Sequence, residues 1–355
     1  MAQPPPETRT LPNPPTDGIT SLSYIPPGQS SSHLASTSWD GSLRIHDTSS
    51  LTHVMSQNLE AGPLLSLATP AGGSVWTGGL DGSVRKFDVS TSTSKIIGVH
   101  SGGEQSSDTE PKIACSCLSS MDGIVGSGDG TIVASAGWDG KFYLWDSRRS
   151  PGSPAATVKL PGKAFSMDSV DGKRVVIATS GRRTCIIDVR MPADEDASAK
   201  IVLDRESSLK YQTRTVRFFP DGKGLAMGSI EGRVAIEFLD EIGVESGKKK
   251  YAFKCHRAGD TVYPVNAIAF HPQLGTFATG GCDGTVVTWD GLNKKKLTTL
   301  PKFATSIAAL AFNHNGTELA IASSYTFEEG EREHPRDEIF VREILDHECK
   351  PKSSK

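Results

Sequence analysis

Residues 138–146 have the sequence WDGKFYLWD, in which an Asp-Gly turn leads into an apolar, β-prone strand that ends at Asp146. The two Asp residues of this phrase lie seven positions apart (146 − 139), and the same spacing recurs at three further sites: 40–47, 81–88 and 283–290. Weaker copies occupy three more sites: 181–188, 231–238 and 337–344. Intervals of 41 (81 − 40) to 58 (139 − 81) residues are typical of a four-stranded blade with variable loops. Seven copies therefore predict an all-β, seven-bladed β-propeller that forms a single domain.

The bulk composition fits one closed array of repeats. The chain has 355 residues, of which 36% are hydrophobic, and no apolar run approaches the roughly 20 residues of a membrane span. The net charge of −3 argues against a general nucleic-acid binder, so any polyanion site must be a local patch. We expect a disordered N-terminus over 1–7, the propeller over 8–346 and a flexible tail over 347–355. Strand-like residues near Thr8 to Leu11 are expected to pair into the last blade and close the ring.

The tryptophans fall into two groups. Trp145 and Trp289 end apolar strands and are predicted to pack between blades, because a large aromatic side chain buries much area. Trp39 and Trp138 immediately precede an Asp-Gly turn, which places them at a loop rim. Two exposed Trp side chains on equivalent turns indicate a contact surface. The alternative is that each ring lies flat and covers a blade edge.

Cations recur at matched turns. The residue directly after the turn pair is basic in three consecutive blades: Lys141, Arg183 and Arg233. Equivalent turns share one face of a propeller, so these charges are expected to form an arc around one end of the channel. Three more cations are expected at that face: Arg182, Lys210 and Arg214. Guanidinium forks suit carboxylate or phosphate recognition, and the alternative is that the arc pairs with Glu206 and Glu231.

The sequence contains no convincing catalytic motif. The glycine-rich run 126–130 lacks both the Lys-Ser/Thr ending and the following helix of a phosphate loop. A propeller enzyme or lectin remains the alternative class, and it would need a carboxylate or metal constellation in the channel. The six cysteines show no metal-ligand spacing, so no metal or cofactor is expected. The lysine runs 248–250 and 294–296 are interpreted as solvated loops, since few aromatic residues interleave with them.

Longer phrases resemble one WD-repeat subfamily. They are RESSLKYQTR at 205–214, GSIEGRV at 228–234, KYAFKCHR at 250–257, YPVNAI at 263–268 and LAIASSY at 319–325. These phrases resemble the pair formed by the spindle-checkpoint propeller, the third of the budding-uninhibited-by-benzimidazole proteins, and its messenger-RNA-export sister at the nuclear pore. The resemblance spans about residues 10 to 350. The phrases at 234–240 and 293–297 look more like the checkpoint member.

The resemblance implies a non-catalytic, monomeric adaptor of the nucleus and kinetochore. Such proteins bind acidic GLEBS-type motifs of the checkpoint kinase and its kinase-like relative, and Met-Glu-Leu-Thr repeats of the kinetochore scaffold after phosphorylation of the Thr. By this resemblance Arg214 and Arg233 bind phosphothreonine, Arg183 faces the Glu pair of the motif, and Trp39 and Trp138 form an aromatic rim. The rest of the arc is assigned to the same peptide motif: Lys141, Arg182 and Lys210. The alternative is an export factor that binds a nucleoporin GLEBS motif.

Overall fold

The computed structural model describes residues 7–26, 32–60, 62–102, 111–122, 131–190, 199–240 and 250–352. Within these ranges the chain forms seven four-stranded antiparallel sheets, one two-stranded hairpin and one four-residue α-helix. No helix in these ranges is long and apolar enough to cross a membrane. The predicted seven-bladed, all-β propeller is confirmed.

Blades 1 to 3 follow each other along the chain, each with its strands in chain order. Strand β1 (Thr8–Thr10) precedes them and belongs to the last blade. Blade 1 contains β2 (Ile19–Tyr24), β3 (His33–Ser38), β4 (Ser42–Asp47) and β5 (Thr52–Asn58). Blade 2 contains β6 (Leu64–Ala68), β7 (Ser74–Gly79), β8 (Ser83–Asp88) and β9 (Thr93–Val99). Blade 3 contains β10 (Cys115–Ser120), β11 (Ile132–Gly137), β12 (Lys141–Asp146) and β13 (Ala156–Lys159).

Blades 4 to 7 repeat this order. Blade 4 contains β14 (Ala164–Val170), β15 (Arg174–Thr179), β16 (Arg183–Asp188) and β17 (Lys200–Glu206), and blade 5 contains β18 (Thr213–Phe218), β19 (Gly224–Ser229), β20 (Arg233–Phe238) and β21 (Tyr251–Lys254). A hairpin of β22 (Arg257–Ala258) and β23 (Thr261–Val262) follows. Blade 6 contains β24 (Val265–Phe270), β25 (Phe277–Gly281), β26 (Val286–Asp290) and β27 (Lys295–Thr299). Blade 7 contains β28 (Ile307–Phe312), β29 (Glu318–Ser323), β30 (Glu338–Glu343) and the early strand β1.

The core lies between neighbouring blades. The first strands of successive blades contact each other and line a central channel, so they are innermost. The fourth strand of blade 1 alternates exposed and half-buried residues, as an outer edge should, whereas the second strand of blade 2 is buried along its whole length. One apolar cluster joins Val176 and Ile186 of blade 4 to Val216 and Leu225 of blade 5. Each blade therefore depends on its neighbours to bury its faces.

The two ends of the chain meet in blade 7. Strand β1 pairs with β30, Thr8 opposite Arg342, which confirms the predicted closure. Arg9 Nη2 lies 3.0 Å from Glu318 Oε2, and the hydroxyl of Tyr24 in blade 1 donates to Glu318 Oε1 at 2.8 Å. The carboxylate of Glu318 thus binds the N-terminal strand of its own blade through an ion pair and joins blade 7 to blade 1 through the bond from Tyr24.

The C-terminal segment lies against blade 6. It begins with helix α1 (Asp346–Cys349), and Arg342 forms a buried ion pair of 2.8 Å with Glu348 of that helix. Thr276 Oγ1 donates to the carbonyl of Cys349 at 2.7 Å, and the backbone N–H of Lys352 donates to Asp290 at 3.0 Å. These contacts continue past the predicted propeller boundary at 346. Residues 1–6 and 353–355 of the predicted disordered ends lie outside the described residues.

Blades 3 and 6 each contain a hydrogen-bond network that links the second and third strands to the turn between them and to the preceding connection. In blade 3, Trp145 Nε1 donates to Ser135 Oγ at 2.8 Å, the same oxygen lies 2.8 Å from His100 Nε2, and His100 Nδ1 lies 3.0 Å from Asp139. Blade 6 repeats the arrangement with four residues: Trp289, Thr279, His256 and Asp283. As predicted, Trp145 is buried between blades, and its ring lies where a Cβ on Gly98 of blade 2 would stand.

Candidate functional site

One end of the propeller gathers every residue that the sequence analysis assigned to peptide binding. Ile19, the first residue of β2, is opposite Ser38, the last residue of β3. The turns between second and third strands therefore lie at the same end as the connections between blades, and the other blades follow the same register. We call this end the upper face, and the opposite end the lower face.

A β-bulge at the second residue of each first strand shapes the upper mouth of the channel. Each bulge leaves one residue out of the ladder, and the seven are Thr20, Leu65, Ser116, Phe165, Arg214, Asn266 and Ala308. All seven line a central cavity of about 450 Å³. Bulges re-aim side chains in this way beside functional sites. We call these seven residues the mouth ring.

Hydrogen bonds around the mouth ring orient Arg214. Asn266 Nδ2 donates to the carbonyl of Ile307, the first residue of the next blade, at 3.1 Å. Its Oδ1 accepts a bond of 3.1 Å from Arg214 Nε. This bond uses one N–H of the guanidinium and fixes its plane. Within the described ranges no hydrogen bond or ion pair occupies the two terminal nitrogens of Arg214.

The arc of turn cations is present on the upper face, and most of its members have a partner. Arg183 forms an ion pair of 2.7 Å with Asp204, and Arg233 Nε lies 3.5 Å from Glu231. Lys141 Nζ donates to the carbonyl of Ser101 at 3.3 Å. The alternative from the sequence, pairing with Glu206 and Glu231, is thus what the structure shows for Arg182, which pairs with Glu206, and for Arg233, which pairs with Glu231. Because the Arg183 pair is more than a third exposed on both sides, it contributes little stability, and an acidic ligand can replace Asp204.

Arg182 and Lys210 belong to one local structure. Arg182 follows Gly181 in a 3₁₀ turn and adopts a φ of 59°. Its Nη1 donates to the carbonyls of Leu209 and Lys210, both at 3.1 Å, while Nη2 lies 2.7 Å from Glu206. Arg182 therefore fixes the backbone that carries Lys210.

The aromatic rim occupies the position before each turn. The side chain of Trp39 is 44% exposed, and that of Trp138 is half-buried. Their backbone N–H groups donate to Gly18 and Ala114 in the preceding connections, so both residues are held by the same type of bond. Sequence reasoning missed two apolar residues at the equivalent position of other blades, Leu80 and Ile230.

Exposed apolar side chains concentrate on the upper face. Among the described residues ten large hydrophobic side chains are exposed, and seven of them lie at this end: Trp39, Leu80, Phe165, Tyr211, Ile230, Val262 and Phe327. Large exposed apolar patches mark interaction surfaces. The combination with the arc of cations indicates a ligand with both apolar and acidic groups.

The acidic turn residue of blade 1, Asp40, does not pair with the arc. Burial acts to raise the pKa of Asp40, but hydrogen bonds from Ser42 and Thr16 outweigh burial and lower the pKa to about 2. Asp40 also lies 3.3 Å from Arg44, so its charge is satisfied inside blade 1. The basic residues directly after the turn pairs lie in blades 3 to 5. No group of three or more His, Cys, Asp or Glu residues that could hold a metal occurs in the described ranges.

The blades, their turns and the buried networks define the class: a WD-repeat propeller. The family model described as "WD domain, G-beta repeat" matches residues 6–47, 113–146 and 247–290. Mitotic checkpoint protein bub3 of Dictyostelium discoideum is 41% identical over 94% of this chain and 93% of its own length. Mitotic checkpoint protein BUB3.1 of Arabidopsis thaliana is 42% identical over 97% of this chain and 95% of its own.

A related branch is also similar along the whole chain. The Poly(A)+ RNA export protein of Schizosaccharomyces pombe is 33% identical over 96% of this chain and 92% of its own length. The chain therefore belongs to the Bub3 family of mitotic checkpoint proteins, with the RNA export proteins as close relatives. This result agrees with the resemblance found in the sequence phrases.

Proposed function

We propose that this chain is a non-catalytic adaptor of the spindle assembly checkpoint that binds acidic and phosphorylated peptide motifs across its upper face. The observation that carries the proposal is the coincidence, at one end of the ring, of guanidinium groups in blades 4 and 5 with seven exposed apolar side chains. Sequence identity of 41–42% with mitotic checkpoint relatives, over nearly the whole chain, supports the checkpoint role and a place at kinetochores in the nucleus.

Blade 5 supplies the proposed phosphothreonine site. Arg214 is the bulged residue of the innermost strand, near its upper end. Arg233 is the first residue of the third strand of the same blade and lies at the same end. Two strand spacings, about 9–10 Å, separate their backbones, a distance that two extended arginine side chains can bridge. Two guanidinium forks can then bind one dianionic phosphate, which a neutral Thr hydroxyl cannot replace.

Blades 1, 3 and 4 supply the proposed site for the acidic GLEBS-type motif. Carboxylates of the motif would replace Asp204 and Glu206 as partners of Arg183 and Arg182, while apolar residues of the motif contact the Trp39 and Trp138 rim. Three roles follow: binding of the checkpoint kinase, of its kinase-like relative, and of the phosphorylated scaffold that recruits them. The RNA export relatives favour a second candidate, a pore-associated export factor that binds a nucleoporin motif. Affinity purification from mitotically arrested cells separates the two, since it recovers kinetochore scaffold and kinase or else nucleoporin.

Calorimetry with paired Met-Glu-Leu-Thr peptides, phosphorylated and unphosphorylated, tests the proposal. Each charge-assisted bond contributes roughly 1.5–3 kcal/mol, so an Arg214→Ala/Arg233→Ala variant should lose on the order of a hundredfold or more in preference. Arg214→Lys should weaken binding in part, because it keeps the charge and loses the fork. Arg148→Ala is the matched control, since Arg148 is half exposed on the lower face and pairs with Asp146. Equal affinities of the wild type for the two peptides would contradict the proposal.

A further inference from the structure

Blade 5 lacks the buried network of blades 3 and 6 and contains a buried carboxylate in its place. Glu237 pairs with Leu225 in the ladder, as Trp145 pairs with Val133 in blade 3 and Trp289 with Phe277 in blade 6. Met227 stands at the position of Ser135 and Thr279. The Glu237 side chain is 1% exposed, so this carboxylate occupies the place of an interblade tryptophan.

The carboxylate of Glu237 has two partners, and both lie before the first strand of blade 5. Arg205, in the last strand of blade 4, forms an ion pair with Glu237 Oε2. Ser208 Oγ, in the connection to blade 5, donates to Glu237 Oε1 at 2.6 Å. A buried carboxylate is costly unless such partners compensate the loss of water. Glu237 therefore fixes Ser208 with a strong, charge-assisted bond.

The connection held by Ser208 is the one that carries the site. Its backbone spans 207–212 and includes Lys210 and the exposed Tyr211. Arg182 binds the carbonyls of Leu209 and Lys210 from above, and Leu209 packs into the core at 2% exposure. Thr213 begins strand β18 directly afterwards, and Arg214 is the next residue. Glu237 thus holds from below the segment that Arg182 holds from the upper face.

We infer that Glu237 is a positioning residue of the phosphopeptide site, acting through Ser208 and Arg205 on the segment that leads into Arg214. This inference rests on the proposed function. Blades 3 and 6 show that an aromatic network suffices to join neighbouring blades. The carboxylate differs because it is charged and because its bonds end on the connection that leads into Arg214. Loss of these bonds moves Arg214 relative to Arg233 and so lowers the preference for phosphate.

The test measures the ratio of affinities for phosphorylated and unphosphorylated Met-Glu-Leu-Thr peptide. Glu237→Gln keeps an acceptor for Ser208 but removes the ion pair, and it should lower the ratio about tenfold. Ser208→Ala removes only the hydroxyl and should lower the ratio about fivefold, as expected for one lost hydrogen bond. The ratio is the decisive readout, since a general loss of folded protein reduces both affinities equally.

Two controls separate positioning from stability. Ser135→Ala breaks the network of blade 3, and it should reduce the thermal midpoint with no change in the ratio. Arg205→Met/Glu237→Leu removes both buried charges, so it should recover stability while the ratio stays low, because Ser208 has lost its acceptor. An unchanged ratio in Ser208→Ala or in the double variant overturns the inference while the proposed function stands. A wild type without any preference for the phosphorylated peptide overturns the proposed function instead.

Discussion

Blade 3 and the closing blades 7 and 1 solve the same packing problem with different chemistry. The third-strand residue that pairs with the second residue of the second strand is Trp145 in blade 3, Arg342 in blade 7 and His46 in blade 1. All three side chains are buried. Trp145 bonds within its own blade, whereas Arg342 binds Glu348 of the C-terminal helix and His46 Nε2 lies 2.8 Å from the carbonyl of Pro12.

The difference teaches that one repeat position can serve different purposes in different blades. In blade 3 it joins neighbouring blades through buried aromatic area and a neutral hydrogen bond. Beside the closure, a polar side chain at this position fastens a chain end that no repeat would otherwise hold. The ends thus gain specific partners at the cost of burying groups that can be charged.

The largest effect is expected from Trp145→Ala. The substitution removes a 2% exposed indole and leaves a cavity between blades 2 and 3, so the free energy of unfolding should fall by about 3–5 kcal/mol. Trp145→Phe should recover part of the loss by refilling the cavity. Denaturant titration monitored by circular dichroism measures both variants. A loss below that of Arg342→Leu would contradict the view that the interior network contributes most.

Arg342→Leu should have the next largest effect. It leaves the buried Glu348 without its partner, and breaking a buried ion pair in this way costs about 3–4 kcal/mol. Arg342→Leu/Glu348→Leu should recover most of the stability, since no uncompensated charge remains. Thermal unfolding of the two variants decides the matter. If the double variant is less stable than the single one, the pair is not the element that fastens the C-terminal segment.

His46 should give the smallest effect, and it should depend on pH. Burial lowers the pKa of His46 from 6.5 to about 4, with the charge of Arg44 acting in the same direction and the bond to Pro12 opposing it. Above pH 6.5 the imidazole is neutral in both the folded and the unfolded chain, so His46 costs no stability there. Stability is lost as the pH falls from 6.5 to about 4, because the unfolded chain takes up the proton first. The loss should reach about 2–3 kcal/mol.

Denaturant titrations at pH 7 and pH 4.5 measure this dependence. His46→Phe should remove it, since Phe87 of blade 2 shows that a phenyl ring fits the equivalent position. His314→Gln is the matched control, because His314 is exposed and the wild-type dependence should persist. If His46→Phe loses as much stability between pH 7 and pH 4.5 as the wild type does, His46 is not the source of the pH dependence.

Local features of the chain were predictable, and contacts between distant residues were not. The turn and strand of 138–146 lie within nine consecutive residues, so their pattern predicts a blade directly. His100 and Asp139 are 39 residues apart, and Ser208 and Glu237 are 29 apart, so nothing local indicates that they meet. The bulges of the mouth ring have no common residue type, because the backbone and not the side chain defines them. The arc of cations was predictable because equivalent turns recur at a fixed position in the repeat.

Pairing of β1 with β30 determines when the ring can close during synthesis of the chain. Strand β1 leaves the ribosome before every other strand of the propeller, and its partner β30 leaves after all of them. Until β30 has been made, the early blades exist as an open arc whose terminal edges have no neighbour. Such edges can pair with other chains. The ring can close only after β30 has left the ribosome, so the partly made propeller exposes these edges until then.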